Sequence, residues 1–73
     1  MHLRTPERTR IRVNGEVTAT AAATLAELLS ELGYGQGEVA TAVNGAFVPR
    51  SARGQARLFP EDAVEIVAPR QGG

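Results

Sequence analysis

Apolar and polar residues alternate near the start of the chain. Ile11 and Val13 point to one face and Arg10 and Arg12 to the other. This period of two predicts a half-buried strand over Thr9–Val13. The dipeptide Asn14-Gly15 follows, and it favours a two-residue hairpin turn because both residues tolerate positive φ. The alternation then resumes, so a return strand is predicted over Glu16–Ala21. The apolar residues of this return strand share one face and its threonines share the other.

A helical period replaces the alternation after Thr24. Leucines recur at the spacing i, i+3, i+4 and i+7, which places them in one apolar stripe along a helix. Thr24 is a favourable N-cap, Glu27 completes a capping box, and Gly33 suits the C-terminal end. We therefore predict an amphipathic helix that packs across a sheet through this stripe. The leucines of the stripe are Leu25, Leu28, Leu29 and Leu32.

Three further strands are predicted in the second half. After a loop over Tyr34–Glu38, alternation over Val39–Val43 leads to a second Asn-Gly turn and a short strand over Ala46–Val48. A final strand is predicted over Ala63–Val67, after the turn Pro60-Glu61-Asp62. Hairpin, helix, hairpin and last strand in this order predict an α+β, β-grasp (ubiquitin-like) fold. Its mixed sheet would have four to five strands, with the last strand central and next to the first.

The segment Arg50–Leu58 has little apolar content, and we predict an irregular connection or a short helical turn there. Its arginines, Arg50, Arg53 and Arg57, form a basic cluster that could contact phosphate or an acidic partner. No aromatic residues alternate with them, so a solvated loop is the favoured interpretation.

The ends of the chain differ from this body. Residues 1–8 are polar and aperiodic, so we interpret them as a loose leader before a domain over residues 9–68. Residues 69–73 are predicted to be a flexible tail, because Pro69 cannot continue a sheet interior. Gly72 and Gly73 have no Cβ and would fit a channel too narrow for a side chain, and the α-carboxylate of Gly73 is the functional group at the tip.

Composition narrows the possible functions. The 73 residues carry eight basic and eight acidic side chains, so no net charge favours nucleic acid or an anionic membrane. All the basic residues are arginine, and there is no cysteine for a disulfide, a thiolate metal site or a sulfur nucleophile. No signal peptide or membrane-spanning run is found, so a cytoplasmic location is expected.

Catalytic motifs are also missing from the sequence. It contains no Ser/His/Asp set, metal-ligand spacing or glycine-rich phosphate loop, and its one histidine, His2, has no neighbouring ligand-type residue. We therefore expect neither an enzyme nor a metal site.

Several segments together resemble the ThiS family, the sulfur carrier proteins of thiamine biosynthesis. The resemblance covers about residues 9–73, and two departures are the extra leader and Pro60–Ala63, where the family often has a Gly-Asp pair. Neither departure affects the tail. The segments that carry the resemblance are Ile11–Glu16, Thr24–Leu29, Val43–Arg50, Val64–Val67 and Gln71–Gly73.

The resemblance implies a function for the tail. A ThiF-like adenylating enzyme would use ATP to activate the Gly73 carboxylate, and a persulfide sulfur donor would convert it to a thiocarboxylate. This group would deliver sulfur to a ThiG-like thiazole synthase, with Gln71–Gly73 threaded into each partner's active site. The protein itself would bind no cofactor and would be a monomer when free. The expected docking surface is the outer sheet face near the tail, with candidates Arg10, Arg12, Phe47, Glu65 and Val67.

Other functions remain open at this point. The small subunit of molybdopterin synthase uses the same thiocarboxylate, as would a sulfur carrier of another pathway. A ubiquitin-like modifier is a further alternative, although a chain without lysine cannot form side-chain isopeptide polymers. A β-grasp binding module with an inert tail is the last.

Overall fold

A computed structural model describes residues 7–34 and 38–69. It contains a five-stranded sheet, one α-helix packed against one face of that sheet, and a 3₁₀ helix between the fourth and fifth strands. The strands are β1 (Thr9–Val13), β2 (Glu16–Thr20), β3 (Ala40–Val43), β4 (Ala46–Val48) and β5 (Ala63–Val67); the helix α1 is Leu25–Glu31 and the 3₁₀ helix is Arg50–Gln55.

The strands lie in the order β2-β1-β5-β3-β4. β1 and β5 pair in parallel, whereas β1–β2, β3–β4 and β3–β5 are antiparallel. The last strand is therefore the central one and lies beside the first, as predicted for a β-grasp fold. Both its edges pair with strands that are far from it in sequence.

Both hairpins turn at an Asn-Gly pair, as predicted. Asn14 and Gly15 have φ of 50° and 86°, and Asn44 and Gly45 have φ of 52° and 84°. Two successive residues with positive φ match the right-handed twist of the strands they join, so these turns close tight hairpins.

The helix begins at the predicted cap. Thr24 Oγ1 accepts a hydrogen bond of 3.2 Å from the Glu27 backbone N–H. Glu27 Oε1 in turn accepts from the backbone N–H of Ala23 at 2.8 Å, one residue earlier than in a standard capping box. The two side chains thus satisfy donors on either side of the cap.

The end of α1 is a Schellman motif around Gly33. The Gly33 N–H donates to Ser30 O at 3.1 Å, and the Tyr34 N–H donates to Leu29 O at 2.9 Å. Gly33 has φ of 89°, a conformation that glycine adopts without a Cβ penalty. The helix therefore stops where the sequence predicted it would.

The core lies between α1 and the inner face of the sheet. Leu32 belongs to the predicted leucine stripe but is 40% exposed, because it caps the helix beyond the edge of the buried layer. The stripe is therefore shorter than predicted. The buried apolar residues are Ile11, Ala22, Leu25, Leu28, Leu29, Leu58, Val64 and Ile66.

On β2 the threonine face, rather than the apolar one, packs toward the helix. Thr20 is fully buried; its Oγ1 donates to Glu31 Oε1 at 2.6 Å and accepts from the Ala22 N–H at 3.0 Å. Val17 pairs with Arg12 and is 58% exposed on the opposite, outer face. The alternation predicted for this strand is confirmed, with a buried hydroxyl on its inner side.

One arginine of the basic cluster is buried, so the solvated-loop interpretation is wrong for it. Arg53 is 5% exposed; its Nε donates to Thr41 Oγ1 at 3.1 Å and its Nη2 donates to Val39 O. Its Nη1 has no hydrogen-bond partner among the described residues. The 3₁₀ helix turns Arg53 inward, while Arg50 and Arg57 remain exposed.

Some predictions lie at or beyond the limits of the described residues. Residues 1–6 of the leader and residues 70–73 of the tail fall outside them, so a loose leader and a flexible tail remain predictions. No helix in residues 7–34 and 38–69 has the length and apolar character needed to cross a membrane.

Candidate functional site

The end of β5 is where the body passes into the tail. β5 ends at Val67, and the exposed residues Ala68 and Pro69 follow it outside any strand. Gln71, Gly72 and Gly73, predicted as the reactive tail, lie outside the described residues. The structure therefore describes how the strand that carries the tail is held.

β5 receives unequal support from its two neighbours. On one side β3 pairs with it as far as Val67, which is opposite Ala40. On the other side the paired residues of β1 stop at Val13, opposite Val64, because the chain turns away at the first hairpin. The last three residues of β5, Glu65, Ile66 and Val67, thus extend beyond the paired residues of β1.

The side chain of Asn14 fills the place that β1 leaves. Asn14 Oδ1 accepts a hydrogen bond of 2.8 Å from the Ile66 N–H, and Asn14 Nδ2 donates to Ile66 O at 3.1 Å. The Asn14 backbone N–H also donates to Val64 O at 2.9 Å, which is the preceding step of the same ladder. One amide side chain therefore continues the parallel pairing by the equivalent of one more residue. We call the two Asn14–Ile66 hydrogen bonds the Asn14 clip.

The asparagine of the second hairpin holds the beginning of the same strand. Asn44 Oδ1 accepts from the Ala63 N–H at 2.9 Å, and Asn44 Nδ2 donates to Asp62 Oδ1 at 2.9 Å. The Asn44 backbone N–H donates to Ala63 O at 2.7 Å. Both ends of β5 are therefore hydrogen-bonded to hairpin asparagines that are distant from β5 in sequence.

Sequence reasoning did not identify this role for the asparagines. An Asn-Gly pair is fully explained by turn geometry, so nothing local to Asn14 points to a partner 52 residues away. The available signal was topological, since each turn follows a strand that a β-grasp sheet places next to the last one.

The structure brings the five predicted docking residues onto one face of the sheet. All five are exposed on the face away from α1, with Phe47 at 69% and Val67 at 64% exposure. Phe47 lies opposite Ala42, which itself lies opposite Glu65, so these residues form a row across three strands. Arg10 and Arg12 lie on the same face of β1. Their role in docking remains a prediction.

This outer face also includes an apolar residue that sequence reasoning did not select. Val17, 58% exposed, lies opposite Arg12 on β2. The outer face thus combines separated apolar side chains with charges of both signs. Protein–protein interfaces with a polar rim have such a composition.

A shallow groove lies on the helix side of the hairpin, near the same end of the sheet. It encloses about 430 Å³ and is open to solvent. Its lining includes Asn14 and Glu16 from the hairpin and Leu32 and Tyr34 from the end of α1. Within residues 7–34 and 38–69, no three acidic, histidine or cysteine side chains are grouped to hold a metal ion.

Comparison with known proteins gives a consistent result. None of the curated proteins compared with the chain matches it significantly. The chain is similar to the crystal structure of the thiamine biosynthesis protein ThiS from Geobacter metallireducens, with 32% sequence identity and a TM-score of 0.73. That similarity covers 89% of this chain and 100% of the other. The model of the ThiS family matches residues 7–73, which is nearly the whole sequence. The chain therefore belongs to the ThiS family.

Proposed function

We propose that this protein is a sulfur carrier of thiamine biosynthesis, and that it acts as a co-substrate of its partner enzymes. The observation that carries the proposal is the position of β5. This central strand pairs with β1 on one side and β3 on the other, and it leads within a few residues to Gln71-Gly72-Gly73. The chain also belongs to the ThiS family. The proposal takes Gly73 as the carboxyl end of the active protein.

The first step overcomes the poor electrophilicity of a carboxylate. A carboxylate oxygen of Gly73 attacks the α-phosphorus of ATP in the active site of a ThiF-like adenylating enzyme. Pyrophosphate leaves, and the product is an acyl-adenylate in which AMP is a good leaving group. ATP is thus consumed by the partner, and this chain supplies only the nucleophilic oxygen.

Sulfur enters in the second step. The terminal sulfur of a persulfide donor attacks the acyl carbon of Gly73 and displaces AMP, which gives an acyl disulfide. A second thiol on the donor side then attacks the sulfur of that disulfide that is bonded to the donor. The S–S bond breaks, the donor side is left as a disulfide, and Gly73 is released as a thiocarboxylate.

The product is a soft nucleophile suited to a sulfur-accepting enzyme. The Gly73 thiocarboxylate would transfer sulfur to a ThiG-like thiazole synthase, in which the thiazole ring is assembled. The tail residues Gln71–Gly73 would enter each partner's active site, while the outer face around Phe47 and Val67 contacts the partner's surface. Docking makes the reaction effectively intramolecular, which lowers the entropic part of the barrier. Such ATP-dependent activation would take place in the cytoplasm.

The test is a reconstitution followed by intact-mass measurement. The protein is incubated with a ThiF-like enzyme, ATP and a persulfide donor, and a reaction without ATP serves as the control. Replacement of one oxygen by sulfur at Gly73 is expected only with ATP. An isopeptide-linked product would indicate a ubiquitin-like modifier, and no change with a competent activator would reject the carrier function.

A second measurement identifies the pathway. The thiocarboxylate form is supplied to a ThiG-like thiazole synthase and, separately, to the large subunit of a molybdopterin synthase. Sulfur transfer to the thiazole product alone is expected. Transfer only in the second reaction would assign the protein to molybdopterin synthesis.

A further inference from the structure

The Asn14 clip acts near the end of β5, just before the tail. It replaces the backbone hydrogen bonds that a longer β1 would make with Ile66. In a strand the N–H and C=O of one residue point to the same side, so both groups of Ile66 face β1. β1 has already turned away at that level, since its paired residues end at Val13. Without the Asn14 amide, neither polar group of Ile66 would have a partner on that side among the residues that the structure describes.

We infer that Asn14 is a positioning residue for the reaction at the tail: its amide keeps Ile66 and Val67 in the sheet, and so fixes where the tail leaves the body. The inference rests on the proposed function and adds the residue that aims the reactive end. Asn14 touches none of the reacting atoms. It acts through the strand that precedes them.

The Asn14 clip affects the reaction because it reduces the number of backbone residues that must become ordered when the tail docks into a partner's active site. With the Asn14 clip in place, ordering on docking begins after Val67. Without it, Ile66 is held by β3 alone through the neighbouring pairs of Ala40 with Val67 and Ala42 with Glu65. Each backbone residue that must then be ordered on docking weakens binding by a factor on the order of ten.

The second hairpin offers a matched control. Asn14 and Asn44 both have φ near 50°, both precede a glycine, and each makes two side-chain hydrogen bonds at β5 or the turn before it. Glycine keeps the turn conformation at either position, because it adopts positive φ readily. Asn14→Gly and Asn44→Gly therefore each remove two side-chain hydrogen bonds, the first pair near the tail end of β5 and the second pair at its beginning.

The first measurement is amide hydrogen exchange in the free protein. In Asn14→Gly the Ile66 amide is expected to exchange at least about tenfold faster than expected from global stability alone. In Asn44→Gly the Ala63 amide is expected to show that increase, with Ile66 unchanged. Unaltered protection of Ile66 in Asn14→Gly would overturn the inference, whether or not any partner enzyme acts on the protein.

The second measurement is the kinetics of adenylation by a ThiF-like enzyme. Asn14→Gly is expected to raise KM about tenfold with kcat within about twofold of wild type, because ordering is lost while the acyl chemistry is unchanged. Asn44→Gly is expected to leave KM within about twofold. Equal increases of KM in the two variants would show that general destabilisation, and not the Asn14 clip, is responsible.

A third variant separates the clip from the groove that Asn14 also lines. Leu32→Ala alters the groove at its helical side and leaves both Asn14–Ile66 hydrogen bonds in place. Its KM is expected to match that of wild type, and an increase as large as that of Asn14→Gly would assign the effect to the groove and overturn the inference. A wild-type protein that a competent activator does not adenylate would instead reject the proposed function, and the exchange measurement would still decide the role of Asn14.

Discussion

The Nε atom of Arg53 lies 3.1 Å from Thr41 Oγ1, in the interior between the 3₁₀ helix and β3. The same Thr41 hydroxyl donates a hydrogen bond of 2.8 Å to Val48 O, so it links Arg53 to β4. A guanidinium without an acidic partner among the described residues thus ties the 3₁₀ helix to the β3–β4 hairpin. The aliphatic part of the side chain fills the same space.

This arrangement predicts a specific order of stabilities. Arg53→Ala should lower the free energy of unfolding by about 2 kcal/mol, because packing and two hydrogen bonds are lost together. Arg53→Met should cost less than about 1 kcal/mol, since it keeps the packing and removes a buried charge. Urea unfolding measures both variants. Exposed Arg50→Ala is the control, and equal effects of Arg50→Ala and Arg53→Ala would contradict the structural role.

The buried hydroxyl of Thr20 leads to a second prediction. Thr20→Val should destabilise the protein by about 1–3 kcal/mol, although it places an apolar side chain in the core, because the buried Ala22 N–H loses its acceptor. The measurement is again urea unfolding. Thr18→Val, on the same face but half-buried with an exposed hydrogen bond, should change stability by less than about 0.5 kcal/mol. A neutral Thr20→Val would mean that the hydroxyl contributes only shape.

The outer face gives a prediction about docking. Phe47→Ser should lower kcat/KM for adenylation about tenfold, because aromatic side chains at the centre of an interface account for much of its binding energy. Phe59→Ser is a matched control: Phe59 is similarly exposed, at 60%, but lies in the turn before β5. Melting temperatures of both variants show whether folding is affected. Equal losses of activity would remove Phe47 from the docking surface.

The tail itself gives the fourth prediction. Deletion of Gly73, or Gly72→Leu, should reduce adenylation by at least about a hundredfold, because the carboxylate is misplaced or its path is blocked. Neither change should alter the melting temperature, since the last strand ends at Val67. Gly54→Ala, where an added Cβ meets open space, is the control and should leave both quantities unchanged. A large fall in melting temperature for a tail variant would show that the tail is part of the fold.

Local patterns were sufficient to predict most of the fold. The hairpin turns were predicted because Asn-Gly satisfies positive φ without help from the rest of the chain, and α1 because its cap and the glycine at its end lie next to the leucine stripe. The central position of β5 beside β1 followed from the order of the elements. The turns and the helix depend on residues that are neighbours in sequence, whereas the place of β5 depends on the order of the elements along the chain.

Apart from the exposure of Leu32, the errors and omissions involve distant partners. The sequence favours a solvated Arg53, because its hydrogen-bond partners Thr41 and Val39 are 12 and 14 residues away and no local pattern indicates them. The burial of Thr20 was not predicted, because its partner Glu31 lies on another element. The double role of Asn14 is hidden for the same reason, since turn geometry already accounts for an asparagine there. Tertiary hydrogen bonds decide each case, and no periodicity reports them.

The central place of β5 also bears on biosynthesis. The ribosome makes this strand after the others, and until it is present the hairpins β1–β2 and β3–β4 have no common neighbour through which to join. A nascent polypeptide stalled before Ala63 would expose two open sheet edges and remain a target for proteolysis. Residues 68–73 are made only after β5, so a product truncated before Ala63 would lack both the complete sheet and the tail.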